Sequence, residues 1–216
     1  MTDRPSKKEK SKAVLVFGTV NPITNAHLEL GKVSASLIKD ADIYYIPSSD
    51  KYIKGWKKLP EDSVFCEEDR LSLLKSVVEP YGFMVSDIEI RGLVSGRTFD
   101  TVEYFKSAYG YQETYVVVGS DKVLEMSRWK KIDKLTEGSK FLVFRRNGIG
   151  LEDIDFPFGR KVKSNFIQVN NADGFQDISS TKVREYYKNG DLSSVKEFIP
   201  QSVYNYLLAK INEESK

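Results

Sequence analysis

The chain has 216 residues, of which 40% are hydrophobic and 12% aromatic, so it can bury one good core and is short for two domains. The formal charge of +2 arises in the first twelve residues, where Arg4, Lys7, Lys8, Lys10 and Lys12 oppose only Asp3 and Glu9; the rest is near neutrality and exerts no net pull on nucleic acid or a membrane surface. Cys66 is the only cysteine, which excludes an intrachain disulfide and a cysteine-cluster metal site and suits a reducing compartment. Residues 1–12 read as a disordered, solubilising basic tail and residues 13–216 as a single domain. The run Ala13 to Val20 is too short for a signal h-region with a cleavage site, and nothing else approaches membrane-spanning length, so the expected location is the cytoplasm.

The first element is Ala13 to Phe17, a near-continuous apolar run bounded by polar and turn residues, which is the pattern of a buried parallel strand. It leads into Gly18-Thr19-Val20-Asn21-Pro22-Ile23-Thr24-Asn25-Ala26-His27, and from Ala26 the apolar positions Leu30, Val33, Leu37 and Ile38 recur at helical spacing. Gly18 lets the backbone turn close to a ligand, Pro22 has the fixed φ of a helix start, and Asn21 or Thr24 can cap it. Such a turn aims backbone N–H groups and a positive dipole end at an anion, and phosphate is the natural guest. His27, the only histidine, falls in the first helical turn and outside the apolar series. Two readings fit it: a helix-surface or capping residue, or a donor whose bond to an α-phosphate strengthens as charge grows on the equatorial oxygens.

A second strand is expected at Ala41 to Ile46, a helix over Asp69 to Val78, a third strand over Met84 to Ile90 and a helix over Phe99 to Ala108. Strands follow at Thr114 to Val118, Lys140 to Phe144 and Asn165 to Val169, with a Gly- and Asp-rich loop region over Asn147 to Lys163. Helices over Ser180 to Tyr187, Leu192 to Phe198 and Gln201 to Ile211 end the chain. Strands alternating with helices imply an α/β fold: a Rossmann-like, doubly wound parallel sheet with a helical C-terminal closing segment, whose ligands sit at the carboxyl ends of the strands. Before the last helices, Ile178-Ser179-Ser180-Thr181-Lys182-Val183-Arg184 places three residues with capping ability at a helix start and an arginine one turn in. This is either an ordinary N-cap with a solvated arginine or a clamp for polyphosphate oxygens.

The stretch Gly18 to Leu28 resembles the ATP-binding signature of the nucleotidyltransferase superfamily, specifically that of the nicotinamide and nicotinate mononucleotide adenylyltransferases, and Ile178 to Arg184 resembles that family's second hallmark. Many members carry histidine in place of Thr24, glycine in place of Ala26 and, in bacteria, aspartate in place of Asn21; the variant Asn-Pro-Ile-Thr-Asn is similar to eukaryotic-type members. Arg91-Gly92-Leu93-Val94-Ser95-Gly96-Arg97-Thr98-Phe99-Asp100-Thr101 resembles the bacterial acceptor-side segment, with Arg97 replacing the usual tyrosine. Gly119-Ser120-Asp121 followed by Trp129 is similar to a family pair, and Asp50-Lys51-Tyr52-Ile53-Lys54-Gly55 resembles the loop that closes over the mononucleotide.

The resemblance implies transfer of AMP from ATP to nicotinate or nicotinamide mononucleotide, forming deamido-NAD or NAD plus pyrophosphate in NAD biosynthesis. It implies an ATP site of Gly18, Thr19, Val20, Thr24, His27, Gly119, Asp121, Ile178, Ser179, Ser180, Thr181 and Arg184, with His27 and Arg184 catalytic. Thr24 would touch phosphate through its hydroxyl, and Asp121 would bond ribose hydroxyls. Asn21, Tyr52, Lys54, Thr98, Thr101, Trp129 and Arg146 would bind the mononucleotide, Trp129 either facing the pyridine ring or packing as a half-buried core residue. Mg2+ would ride on the ATP phosphates, since no carboxylate pair announces a dedicated cage. Partners would be ATP and the pyridine mononucleotide, with no nucleic acid and no membrane; a homo-oligomer is compatible with the sequence. Thr98 stands where animal-type members carry tryptophan and bacterial ones threonine, which leans toward the nicotinate form, while the first loop is eukaryote-like. Two rivals remain: the same chemistry on another phosphate acceptor such as phosphopantetheine, and a non-catalytic nucleotide-binding sensor.

Overall fold

A computed structural model describes residues 11–55, 58–59, 65–154, 163–170 and 179–214. Strands β1 (Lys12–Gly18), β2 (Ala41–Pro47), β3 (Met84–Val85), β4 (Glu113–Gly119), β5 (Lys140–Phe144) and β6 (Phe166–Val169) form a six-stranded parallel sheet in the order β3-β2-β1-β4-β5-β6. The helices among the described residues are α1 (Asn25–Leu37), α2 (Asp50–Gly55), α3 (Glu67–Val78), α4 (Thr98–Tyr109), α5 (Ser120–Val123), α6 (Ile132–Gly138), α7 (Ser180–Lys188) and α8 (Gln201–Glu214).

Strand side chains alternate between faces, and here both faces are apolar, which is why each strand reads as a continuous hydrophobic run. Val14, Val16, Ile43 and Tyr45 point into one core with Leu28 of α1, Leu74 and Val78 of α3, and Val203 and Leu207 of α8. Ala13, Leu15, Tyr44 and Ile46 point into the other, against Val102 and Phe105 of α4 and Leu135 of α6. Helices thus cover both faces, as expected for a doubly wound sheet. The register runs from Lys12↔Ala41 to Gly18↔Pro47 and from Lys12↔Glu113 to Val16↔Val117, so the carboxyl ends of β1, β2 and β4 open onto one rim.

Several boundaries differ from the sequence reading. The third strand pairs over Met84–Val85 only. Beyond it Ser86 N–H still donates to Tyr45 C=O (2.9 Å), but the chain then turns, with Arg91 N–H on Asp87 C=O (2.9 Å) and Gly92 N–H on Glu89 C=O (3.2 Å). Ile88 and Glu89 are buried in that turn, and a buried turn shows the same apolar density as a buried strand. The domain also begins before the boundary set at residue 12: Lys12 is the first residue of β1, and Ser11 C=O accepts from Gln112 and Glu113 N–H (2.9 and 3.0 Å). The rest of the expected tail, residues 1–10, lies outside the described residues. The segment Asp50–Gly55, read as a loop, is helical, and Ser193–Phe198 is a 3-10 rather than an α-helix. Of the loop region 147–163, residues 155–162 lie outside the described residues, and Leu151–Asp153 forms a 3-10 turn. No helix among the described residues is long and apolar enough to cross a membrane.

Candidate active site

The chain leaves β1 toward β2 and β3 on one side and returns to β4 on the other, so the strand order reverses between β1 and β4, the crevice where such sheets bind ligands. Gly18 ends β1 and Gly119 ends β4. In the loop after Gly18, Val20 is buried at φ 40°, a left-handed conformation that costs a β-branched residue about 1–3 kcal/mol and must be held by its surroundings. Much of the holding comes from Arg70 of α3, whose side chain has no exposed surface. Its Nη1 donates to Thr19 C=O (2.9 Å) and Ser48 C=O (3.0 Å), Nε to Phe65 C=O (3.2 Å), and Nη2 to Asp50 Oδ1 (2.8 Å). One guanidinium therefore ties the loops after β1 and β2 together. The sequence reading missed it, although there was a signal: Arg70 occupies the inward stripe of α3 with Leu73, Leu74 and Val77.

Thr24 is the N-cap of α1, is fully buried, and faces the ring of His27. Nδ1 of His27 lies 2.7 Å from the Thr24 hydroxyl and accepts from the Thr24 backbone N–H at 3.2 Å, so the histidine does cap the helix, through one ring nitrogen. Its backbone is held as well. The Tyr45 hydroxyl of β2 donates toward His27 C=O (2.9 Å) and Leu28 C=O (3.2 Å) and accepts from Gly31 N–H (3.1 Å). A tyrosine oxygen thus enters the helical ladder one turn from its start. Only glycine leaves room for it: a Cβ at Gly31 would lie 2.2 Å from that oxygen. Burial raises the Tyr45 phenol above its ordinary range, so it acts as a neutral donor.

The second motif meets this loop from the far end of the sequence. Ser179 caps α7 by accepting from Lys182 N–H (3.3 Å), and Ser180 Oγ donates to Pro22 C=O (2.8 Å). Arg184 donates through Nη1 to Asn21 C=O (2.8 Å) and through Nη2 to Thr181 Oγ1 (3.2 Å). It is nearly buried, and desolvation lowers its pKa from the ordinary arginine range. The solvated arginine of the alternative reading is therefore not what the fold makes. Asn21, expected at the mononucleotide, has a side chain with no exposed surface, and its Oδ1 accepts from Phe65 N–H (3.0 Å). Ile178 lies outside the described residues.

At the end of β4, Asp121 Oδ1 is buried without a hydrogen-bond partner among the described residues. A Cβ at Gly119 would lie 2.5 Å from that oxygen and 3.3 Å from Cδ of Arg146, so these three residues lie together at the end of β4. Arg146 is exposed, and its N–H donates to Ser120 Oγ (3.0 Å).

On the acceptor-side segment, Gly96 has φ 76°. The Gly96 Cβ position lies 3.8 Å from Tyr52 and 3.9 Å from Glu89 Oε2. Lys54 is exposed and pairs with Asp50 (3.3 Å). Thr98 opens α4 and is part-exposed, whereas Thr101, expected at the mononucleotide, is fully buried with its hydroxyl donating to Glu89 Oε1 (3.0 Å). It faces inward because it lies one turn into α4 on the side that packs on the sheet. Glu89 went unnoticed in the sequence, where it sits between Ile88 and Ile90. Burial pushes its carboxyl up to about 7, partly offset by the Thr101 hydroxyl. Trp129 is half-buried against the second core, and Lys130 beside it pairs with Asp100 of α4 (2.8 Å), joining the tryptophan segment to the start of that helix. Among the described residues no group of three or more His, Cys, Asp or Glu side chains could hold a metal ion.

Comparison with known proteins agrees with this geometry. The model of the cytidylyltransferase-like family matches residues 15–186. A probable nicotinate-nucleotide adenylyltransferase of Clostridium tetani is 29% identical over 202 residues, covering 92% of this chain and 96% of the relative. A protein of the same description from Clostridium perfringens is 25% identical over 201 residues, 91% of this chain and 95% of the relative. Among solved structures, Plasmodium falciparum nicotinic acid mononucleotide adenylyltransferase complexed with APC superposes with a TM-score of 0.67 at 17% identity, over 92% of this chain and 95% of that one, a likeness of fold.

Proposed function

Because the chain belongs to the cytidylyltransferase-like family, we propose that it transfers the AMP part of ATP to the phosphate of nicotinate mononucleotide, forming deamido-NAD and pyrophosphate in NAD biosynthesis. The observation that carries this reading is the junction of the two signature segments, where Ser180 and Arg184 bond to the carbonyls of Pro22 and Asn21 across 158 and 163 residues of sequence. The names of the relatives supply the acceptor, and the acid form is the one that they print.

An oxygen of the acceptor's phosphate forms a bond to the α-phosphorus of ATP, the bond from that phosphorus to the bridging β-oxygen breaks, and pyrophosphate leaves. No side chain acts as nucleophile. The task of the protein is to hold the two phosphates in line and to stabilise charge on the α-phosphate oxygens. His27 donates from its ring, the starts of α1 and α7 present backbone N–H groups and positive dipole ends, and Arg184 fixes the loop while offering the guanidinium donors beyond its two protein bonds. Asp121 receives ribose hydroxyls, which would satisfy its buried oxygen. Trp129 and Thr98 border the pyridine. Nucleotidyltransferases commonly use a divalent metal with ATP. The residues present suit a Mg2+ ion that enters on the polyphosphate, because they are mainly hydrogen-bond donors and form no three-ligand cluster among the described residues; when bound it neutralises phosphate charge.

Pyrophosphate release measured side by side with nicotinate mononucleotide, nicotinamide mononucleotide and phosphopantetheine tests the proposal. The expected result is the highest kcat/KM with the nicotinate form. Release with phosphopantetheine alone, or ATP binding without release on any acceptor, would overturn it.

A further inference from the structure

We infer that Thr24 is a positioning residue for His27, holding the imidazole proton on Nε2, and is not a phosphate ligand. The argument begins with exposure. Thr24 has no exposed surface, so a bound phosphate has no route to its hydroxyl without opening the loop. Its polar atoms face the ring instead: Oγ1 is 2.7 Å and the backbone N–H 3.2 Å from the same nitrogen, Nδ1. A backbone N–H can only donate, so Nδ1 carries a lone pair, and the hydroxyl must donate to it as well in a three-centre bond. A neutral imidazole whose Nδ1 is an acceptor has its proton on Nε2.

The direction of that proton matters. The Cβ position of Gly18 is 3.8 Å from His27 Cδ2, the carbon bonded to Nε2, so this side of the ring lies beside the carboxyl end of β1, where the crevice lies. The hydroxyl adds a second donor to Nδ1 beside the backbone N–H, and adds it without charge. A carboxylate in the place of Thr24 could only accept, so it would draw the ring proton to Nδ1 and would also set a negative charge beside a polyphosphate. The inference rests on the adenylyltransferase reading above for its catalytic consequence and on geometry alone for the tautomer.

The two parts are tested separately. His27 is the only histidine, so the full-length protein labelled with 15N-histidine gives one set of ring signals that needs no assignment. The wild-type ring is expected to show a protonated Nε2 and an unprotonated Nδ1. Thr24→Val removes the shorter of the two donors to Nδ1 and keeps the backbone one, so it should leave the Nε2–H tautomer in the majority while admitting a fraction of Nδ1–H, and should lower kcat on the order of tenfold, with the KM for ATP within about twofold of wild type; Thr24→Ser should restore both. A wild-type spectrum with the proton on Nδ1 overturns the inference even if the enzyme turns over and even if Thr24→Val does not fold. A Thr24→Val enzyme with unchanged kcat and a raised KM for ATP overturns it in favour of a phosphate contact. The stated tautomer in a protein that turns over no mononucleotide supports the positioning geometry and removes the proposed function instead.

Discussion

The two halves of the candidate site are built differently. On the ATP side, the loop after β1 is fastened by Arg70, Arg184, Ser180, Asn21 and the Thr24–His27 pair, all buried or nearly so except the histidine. On the acceptor side, Lys54 and Arg146 are exposed, and Tyr52, Thr98 and Trp129 are only part-buried. The proposed ATP side would then have its donors fixed before substrate arrives, as charge stabilisation in a transition state requires, because reorientation at the moment of reaction would cost free energy. The acceptor side offers surface for binding. Substitutions on the first side should therefore act on fold and kcat, and those on the second on KM.

The largest expected effect breaks the fastening. Arg70→Met leaves the carbonyls of Thr19, Ser48 and Phe65 without this donor and takes the buried one of its two cationic partners from Asp50, and should lower unfolding stability by about 3–5 kcal/mol in chemical denaturation. If Arg70→Met unfolds at the wild-type midpoint, the loop is held by something else.

Glu89 tests the rule from the acceptor side, where it is the buried exception. Its native pKa is raised from the ordinary 4.5 to about 7, so its neutral form suits the fold and stability is lost as pH rises between those values. Relative to wild type, Glu89→Gln should gain about 3 kcal/mol on going from below pH 4.5 to above pH 7, read from denaturation curves at several pH values. A wild-type-to-variant difference that does not change with pH would mean that Glu89 titrates alike in the folded and unfolded protein.

The catalytic contrast comes next in size. His27→Ala should lower kcat about a hundredfold or more, about 2.7 kcal/mol of transition-state stabilisation, with folding retained. Near-wild-type turnover by a folded His27→Ala protein would take the residue out of the mechanism. Trp129→Ala should instead raise the KM for nicotinate mononucleotide roughly tenfold with kcat little changed, the loss of one aromatic contact. An equal fall in kcat would show that the tryptophan orders the reacting groups and would erase the contrast between the halves.

Much of this was legible in the residues. The apolar runs located the sheet, the helical spacing located α1, α3 and α4 within a few residues, and the order of motifs placed the site at the strand ends. What the residues did not show is which polar groups the fold would bury. Asn21 and Thr101 are residue types that bind ligands, yet both are fully buried and bonded to a backbone N–H and to Glu89 respectively. Arg70 and Glu89 are residue types that normally face water, yet they lie inside.

Sequence alone determined where most strands and the longer helices form, because periodicity is local, and which residue types stand at the ends of β1 and β4. Tertiary structure decided the partner of each polar group. The Thr24 hydroxyl turns to a histidine three residues away instead of to solvent, and Arg184 reaches a carbonyl 163 residues back, because the loop that contains them is buried. A buried donor takes the nearest acceptor in space, and that neighbour exists only once the chain has folded.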